Sequence, residues 1–171
     1  MASMNRKISE QPMAVRFDHL LGVISGQRFL EMRGLNNDLP FYICEFKAAE
    51  AVEMERVRRQ LVTRLANMSI PCLQGRGIQA LEINLYDLSI ELLKAREGSS
   101  EDGILWDDLL AIEQEVEKEQ LLETLQNVLG IEEYLIPAIG ERLAAAEYDV
   151  LFLSGIGEVF PYIRSHNVLN N

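Results

Sequence analysis

From Met13 to Ile24 the apolar residues Phe17, Leu20, Leu21 and Ile24 recur at helical spacing, and Ser25-Gly26 ends the pattern. Phe29, Leu30 and Met32 predict a further short turn closed by Gly34, and Asn36-Asn37-Asp38 predicts a loop. After Pro40, the run Phe41-Tyr-Ile-Cys-Glu-Phe46 has the length and composition of a strand. Ala48 to Met68 is the clearest helix. Met54, Val57, Leu61, Leu65 and Met68 fall on one face, and Arg56, Arg59, Gln60 and Thr63 on the other. Pro71 and Gly75-Arg76-Gly77 predict a loop, and Ile78 to Ile83 a second strand.

Asn84 is placed to cap a helix with Asp87 in its first turn, where a carboxylate is favoured. That helix runs through Leu88, Leu92 and Leu93 to Arg96, before the linker-like stretch Gly98 to Gly103. Trp106 to Leu110 predicts a short helical piece. Glu113 to Glu119 is an acidic, solvated stretch, and Leu121, Leu125 and Val128 form a helix face ended by Gly130. Glu132 to Ile136 predicts one turn, with Pro137 opening a fresh helix that carries Ile139 and Leu143 inward. Val150 to Leu153 is a third, fully apolar strand.

Strands separated by helices predict an α/β fold: a small, mostly parallel sheet with helices on both faces, in a Rossmann-like three-layer arrangement. The first 12 residues read as a flexible N-terminus and residues 13–171 as one α/β domain.

The net charge is −11, and it is uneven. Residues 1–100 carry 13 basic and 12 acidic side chains, while residues 101–171 carry 3 and 15. The one basic cluster, Arg56, Arg58, Arg59 and Arg64, has no interleaved aromatics and reads as a solvated helix face. Direct nucleic-acid binding is therefore not expected. Two cysteines, Cys44 and Cys72, do not make a disulfide framework. With neither signal peptide nor membrane-length apolar run, a cytoplasmic protein is expected.

The candidate chemistry lies after the third strand. Ser154-Gly155-Ile156-Gly157 is a glycine turn of the kind that can cradle phosphate. It lacks the Gly-Lys-Ser/Thr of a nucleotide loop and the third glycine of the dinucleotide fingerprint, so a plain turn is the better reading. Glu158 follows and would repel an anion. Asp87 and Glu158 lie near predicted strand ends, where two carboxylates could do acid–base work, hold a metal or cap helices, the last being the better reading. Arg164 and His166 suit a hydrogen-bond network anchoring a last helix. No Gly-x-Ser-x-Gly surrounds Ser154, and no Cys/His spacing fits zinc. The ligand- or partner-site candidates are Asp87, Ser154, Gly155, Gly157, Glu158, Arg164 and His166, with no catalytic residue, cofactor or metal expected.

The run Gly155-Ile-Gly-Glu-Val-Phe-Pro-Tyr-Ile-Arg-Ser-His-Asn-Val-Leu-Asn-Asn171 resembles the signature of the BrxB family of bacterial BREX phage-exclusion systems. Phe17-Asp-His-Leu-Leu21, Leu39-Pro-Phe-Tyr-Ile43, Glu82-Ile-Asn-Leu-Tyr-Asp-Leu88 and Leu121-Leu-Glu-Thr-Leu-Gln126 leading to Ile136-Pro-Ala-Ile139 look similar too. The resemblance implies a role in phage defence with no assigned enzymatic activity. It also implies work beside a PglZ-domain protein, an ATPase and a methyltransferase. Family members continue beyond the Asn-Asn pair into another strand. A chain ending at Asn171 is expected to lack that strand and to expose sheet edge, favouring a homodimer or capture by the PglZ-domain partner. Two function classes stay open: a non-enzymatic adaptor, and a nucleotide- or phosphate-binding regulatory subunit using the turn after the third strand.

Overall fold

The helical spacing of Met13 to Ile24 becomes helix α1 (Met13–Ile24) in the computed structural model, which describes residues 8, 10–31, 41–95 and 106–169. There follow α2 (Gln27–Leu30), α3 (Ala51–Ala66), β1 (Ala80–Asn84), α4 (Leu85–Ala95), α5 (Trp106–Glu115) and α6 (Lys118–Leu129). Helix α7 (Ile136–Ala145), β2 (Val150–Ser154) and α8 (Ser165–Leu169) complete the order. Among the described residues this is a mixed α/β fold, mostly helical, with one two-stranded sheet. The strands are parallel. The N–H groups of Asp149 and Val150 both donate to the Gln79 carbonyl where the strands begin, and Gly155 lies against Asn84 where they end.

The described residues fall into two compact units. The first runs to Ala80 and includes Tyr148–Val150. In it α1 packs on α3, and Leu20, Ile24, Met54, Val57, Leu61 and Leu65 are buried. Arg16 is buried with them, 1% exposed. Its guanidinium donates to the Glu50 carboxylate at 3.0 Å and to the Glu45 carbonyl at 2.7 Å. Two groups of the adjoining Phe41–Lys47 stretch respond to this setting: burial pushes the Tyr42 hydroxyl and the Cys44 thiol to higher pKa. On α3, Glu55 accepts from both Arg58 and Arg59, and these bonds, the Arg58 pair foremost, bring its carboxyl to about 2.

The second unit comprises Leu81–Glu147 and the chain from Leu151 onward. Its core gathers Ile83, Leu85, Leu88 and Leu93 with Leu109, Leu129, Leu135 and Ile139, and takes Val159 and Ile163 from the turn after β2. Gly130 closes α6 in the left-handed conformation, φ 47°, as its position in the pattern predicts. The chain then makes a single π turn at Ile131–Leu135, and Pro137 stands in the first turn of α7, where a missing N–H costs nothing, within a residue of where it was expected.

Three expectations are corrected. Phe41 to Phe46 forms no strand: Arg16 and the Tyr42–His19 contact hold it by side chains, and no ladder bond reaches it among the described residues. Among the described residues the sheet therefore has two strands, not three. The piece at Trp106 extends to Glu115, because Ile112 continues its apolar side. Residues 156–164 are turns, leaving only Ser165–Leu169 as helix. The N-terminal stretch before Ile8, Asn36-Asn37-Asp38, Pro40, the stretch from Gly98 to Gly103 expected to be a linker, and Asn170-Asn171 lie outside the described residues.

Leu61 is 2% exposed on the α3 face that meets α1. Leu61→Ala is expected to cost about 2–5 kcal/mol by denaturant unfolding. Asp149 supplies a second prediction. It accepts two bonds from Arg76, at 2.6 and 2.8 Å, and one from the Gln79 N–H at 2.8 Å. The Arg76 bonds, more than the Gln79 amide, hold its carboxyl below the usual range. A depressed folded pKa contributes stability above the unfolded value and loses it as pH falls through the folded one. Asp149→Asn should therefore flatten the acid side of the stability profile, read as urea midpoints between about pH 7 and about pH 2.

Candidate functional site

Beyond β1 and β2 the chain builds one local structure from four residues. Asn84 ends β1, and its Oδ1 accepts the N–H of Tyr86 at 2.9 Å and of Asp87 at 3.3 Å, which starts α4. Gly155 ends β2 beside it with φ +74°. A Cβ there would lie 2.1 Å from Asn84 Oδ1 and 2.9 Å from the Tyr86 nitrogen. Only glycine satisfies both the backbone conformation and the close approach. Gly157 is different: a Cβ added to it meets nothing within 4 Å, and its conformation does not require glycine.

The turn that follows is seated from within. Val159 and Ile163, four residues apart, are 0% and 1% exposed, and the Ile163 N–H donates to the Val159 carbonyl at 2.9 Å. Tyr162 donates its hydroxyl to the Glu158 carbonyl at 3.4 Å. Burial, with smaller contributions from the neighbouring Tyr86 and Glu158, pushes the Tyr162 hydroxyl to higher pKa. Phe160, by contrast, is 66% exposed, and Tyr86 is open as well.

The seven sequence candidates divide. Ser154 and Gly155 are half-buried at the end of β2, and Asp87 stands exposed in the first turn of α4, so the Asn84 cap brings these three to one place. Glu158, Arg164 and His166 are exposed, and no side-chain bond joins them to Asp87 or to one another among the described residues. Among the described residues the network expected of Arg164 and His166 is not seen: both side chains are exposed, and the apolar pair Val159 and Ile163 is buried instead. The four-residue spacing of that pair was the available signal. The open display of Phe160 and Tyr86 had none, because an isolated aromatic reads equally well as core. Among the described residues no group of three or more His, Cys, Asp or Glu stands close enough to hold a metal, and no helix is long and apolar enough to cross a membrane.

A family model described as BREX protein BrxB matches residues 81–171, the part of the chain that contains this structure and more than half of the 171 residues. The chain belongs to the BrxB family. Membership of that family makes it a component of a BREX phage-defence system. A BREX protein BrxB of Bacillus cereus (strain H3081.97) is 28% identical over 169 residues, covering 97% of this chain and 77% of that protein. No solved structure matches. The BrxB match begins at Leu81, inside β1, so it takes in both partners of the Asn84–Gly155 contact.

That contact is open to test. Gly155→Ala should destabilise the fold by about 1–3 kcal/mol or more, from left-handed strain and collision with the cap together. Gly157→Ala should stay within about 0.5 kcal/mol of the parent. Thermal or urea unfolding of the two variants side by side reads the difference.

Proposed function

We propose that the chain is a non-enzymatic adaptor of a BREX complex. It binds a PglZ-domain protein, and works beside the system's ATPase and methyltransferase, through the surface around the turn that follows β2. Phe160 carries the reading. It is 66% exposed while Val159, its neighbour in sequence, is fully buried, so the turn holds an aromatic ring out to solvent from a fixed base. Aromatic anchors on a pre-organised backbone are what protein interfaces use, because little conformational freedom is lost on docking. Tyr86 on α4 adds a second open ring. Asp87, Glu158, Arg164 and His166 supply charged or polar groups of the kind found at an interface rim, and Ser154, Gly155 and Gly157 shape the backbone that carries them. Family membership supports the setting, since a BREX component has the system's other subunits as candidate partners.

The test is co-purification from cells expressing the whole operon with this chain tagged. The PglZ-domain protein is expected to come down with the parent chain and to be lost with Phe160→Glu, while circular dichroism stays unchanged. Retention of every subunit by a folded Phe160→Glu chain would move the interface elsewhere. A rise in melting temperature of the isolated chain with nucleotide or inorganic phosphate, abolished by changing Glu158 or Arg164, would replace the adaptor with a phosphate-binding subunit.

A further inference from the structure

The stretch Phe41–Lys47 in the first unit is strand-like in sequence, but among the described residues no strand pairs with it. Side-chain exposure alternates from Phe41 to Glu45, as in an extended chain: Tyr42 and Cys44 are half-buried, while Phe41 (72%), Ile43 (52%) and Glu45 face solvent. Among the described residues, no backbone N–H or C=O from Phe41 to Phe46 enters a backbone hydrogen bond. The segment is nonetheless held. Arg16 donates to the Glu45 carbonyl at 2.7 Å, and the Tyr42 hydroxyl lies 3.1 Å from His19 Nε2. In an extended chain successive residues point their backbone groups to opposite edges. With Glu45 turned to Arg16, the other edge presents the N–H and C=O of Tyr42, Cys44 and Phe46.

We propose that this edge accepts an extended strand from a partner protein, apolar at alternate positions and carrying a basic side chain opposite Glu45. Unpaired main-chain donors and acceptors beside exposed large apolar side chains select a strand over a helix, because only a strand matches the row of backbone groups. Charge selects among strands. The outward face reads apolar, apolar, acidic at Phe41, Ile43 and Glu45, and no ion pair neutralises Glu45 among the described residues. A second copy is a poor occupant. Two copies paired antiparallel about a twofold axis set Glu45 opposite Phe41, Ile43 or another Glu45 in every register that overlaps most of the segment. A like-charged or apolar neighbour directly across a ladder is unfavourable or wasted, whereas an opposite charge there stabilises. This inference goes beyond the adaptor reading and does not depend on it: it concerns a different segment, and its test uses the chain alone.

The test is a library of decapeptides with Val or Ile at alternate positions and Lys or Glu between them, panned on the immobilised full chain. Lys members should be enriched. The amides of Tyr42, Cys44 and Phe46 should exchange with deuterium at least about tenfold more slowly when an enriched peptide is bound. Glu45→Lys should reverse the preference to Glu members. It keeps the fold, because the carbonyl of residue 45, not its side chain, meets Arg16. Absence of enrichment, protection that falls outside the segment, or a preference that Glu45→Lys leaves unchanged would each overturn the proposal. So would protection that appears without peptide as the chain is concentrated, which would put a second copy on the edge.

Discussion

The contact between Gly155 and the Asn84 side chain decides what the second unit can display. Asn84 Oδ1 is committed to two amide donors at the start of α4, and that commitment places the oxygen where a side chain at 155 would otherwise go. The two strand ends are thereby locked together at one point: the helix begins because the cap is there, and β2 leaves the sheet through the one residue type that clears it. Everything after Gly155 inherits that exit direction. Val159 and Ile163 then fall into the core formed with Ile83, Leu85 and Leu135, and Phe160 between them is left outside.

The first unit solves a different problem with a buried charge. A guanidinium removed from water is costly unless it is paired. Arg16 commits Nη1 to Glu50, which leads into α3, and Nη2 to the Glu45 carbonyl, while its buried Nε has no partner among the described residues. Among the described residues Phe41 to Lys47 therefore keeps its place with no strand paired to it. A ladder would have satisfied those backbone groups in pairs, whereas the side-chain clamp satisfies one carbonyl, and no described backbone group pairs with the opposite edge. The exposure of Phe41 and Ile43 follows from the same arrangement, since the half-buried positions are already taken by Tyr42 and Cys44.

These two devices mark the limit of what the pattern of residues discloses. Amphipathic spacing identifies α1 to the residue, and the buried face of α3, Met54, Val57, Leu61 and Leu65, is four of the five residues read from periodicity, Met68 lying beyond the end of the helix. Asn84 as a cap and Gly130 as a terminator are local chemistry, legible because each depends on a few adjacent residues. The run Phe41 to Phe46 has the length and composition of a strand, but it is apolar at every position except Glu45, so nothing in it says which side chains turn inward. It cannot report whether a second strand lies alongside, since that depends on residues far off in sequence, and here Arg16 takes that place. The site shows the same division. The closeness of Asp87, Ser154 and Gly155 follows from strand ends and a cap, whereas the solvent exposure of Arg164 and His166 depends on Val159 and Ile163 being the better anchors.

Charge gives a weaker lead to function than exposed apolar surface does. The basic face of α3 looks like four arginines in sequence, but Arg58 and Arg59 share the Glu55 carboxylate. With its carboxyl at about 2, Glu55 stays ionised throughout the neutral range, so it offsets one of those two positive charges at any pH at which the protein works. Binding to a polyphosphate gains from each counterion released, and the gain grows with the number of uncompensated cations. A face reduced in this way has little of that drive, and the acidic excess of residues 101–171 adds none. Exposed Phe41, Ile43 and Phe160 are under the opposite pressure: each leaves apolar area in water that a partner would remove, at roughly 25 cal/mol for every Å² covered. The physical case for protein partners is thus made by what the two clamps hold out to solvent, with charge setting which partners fit.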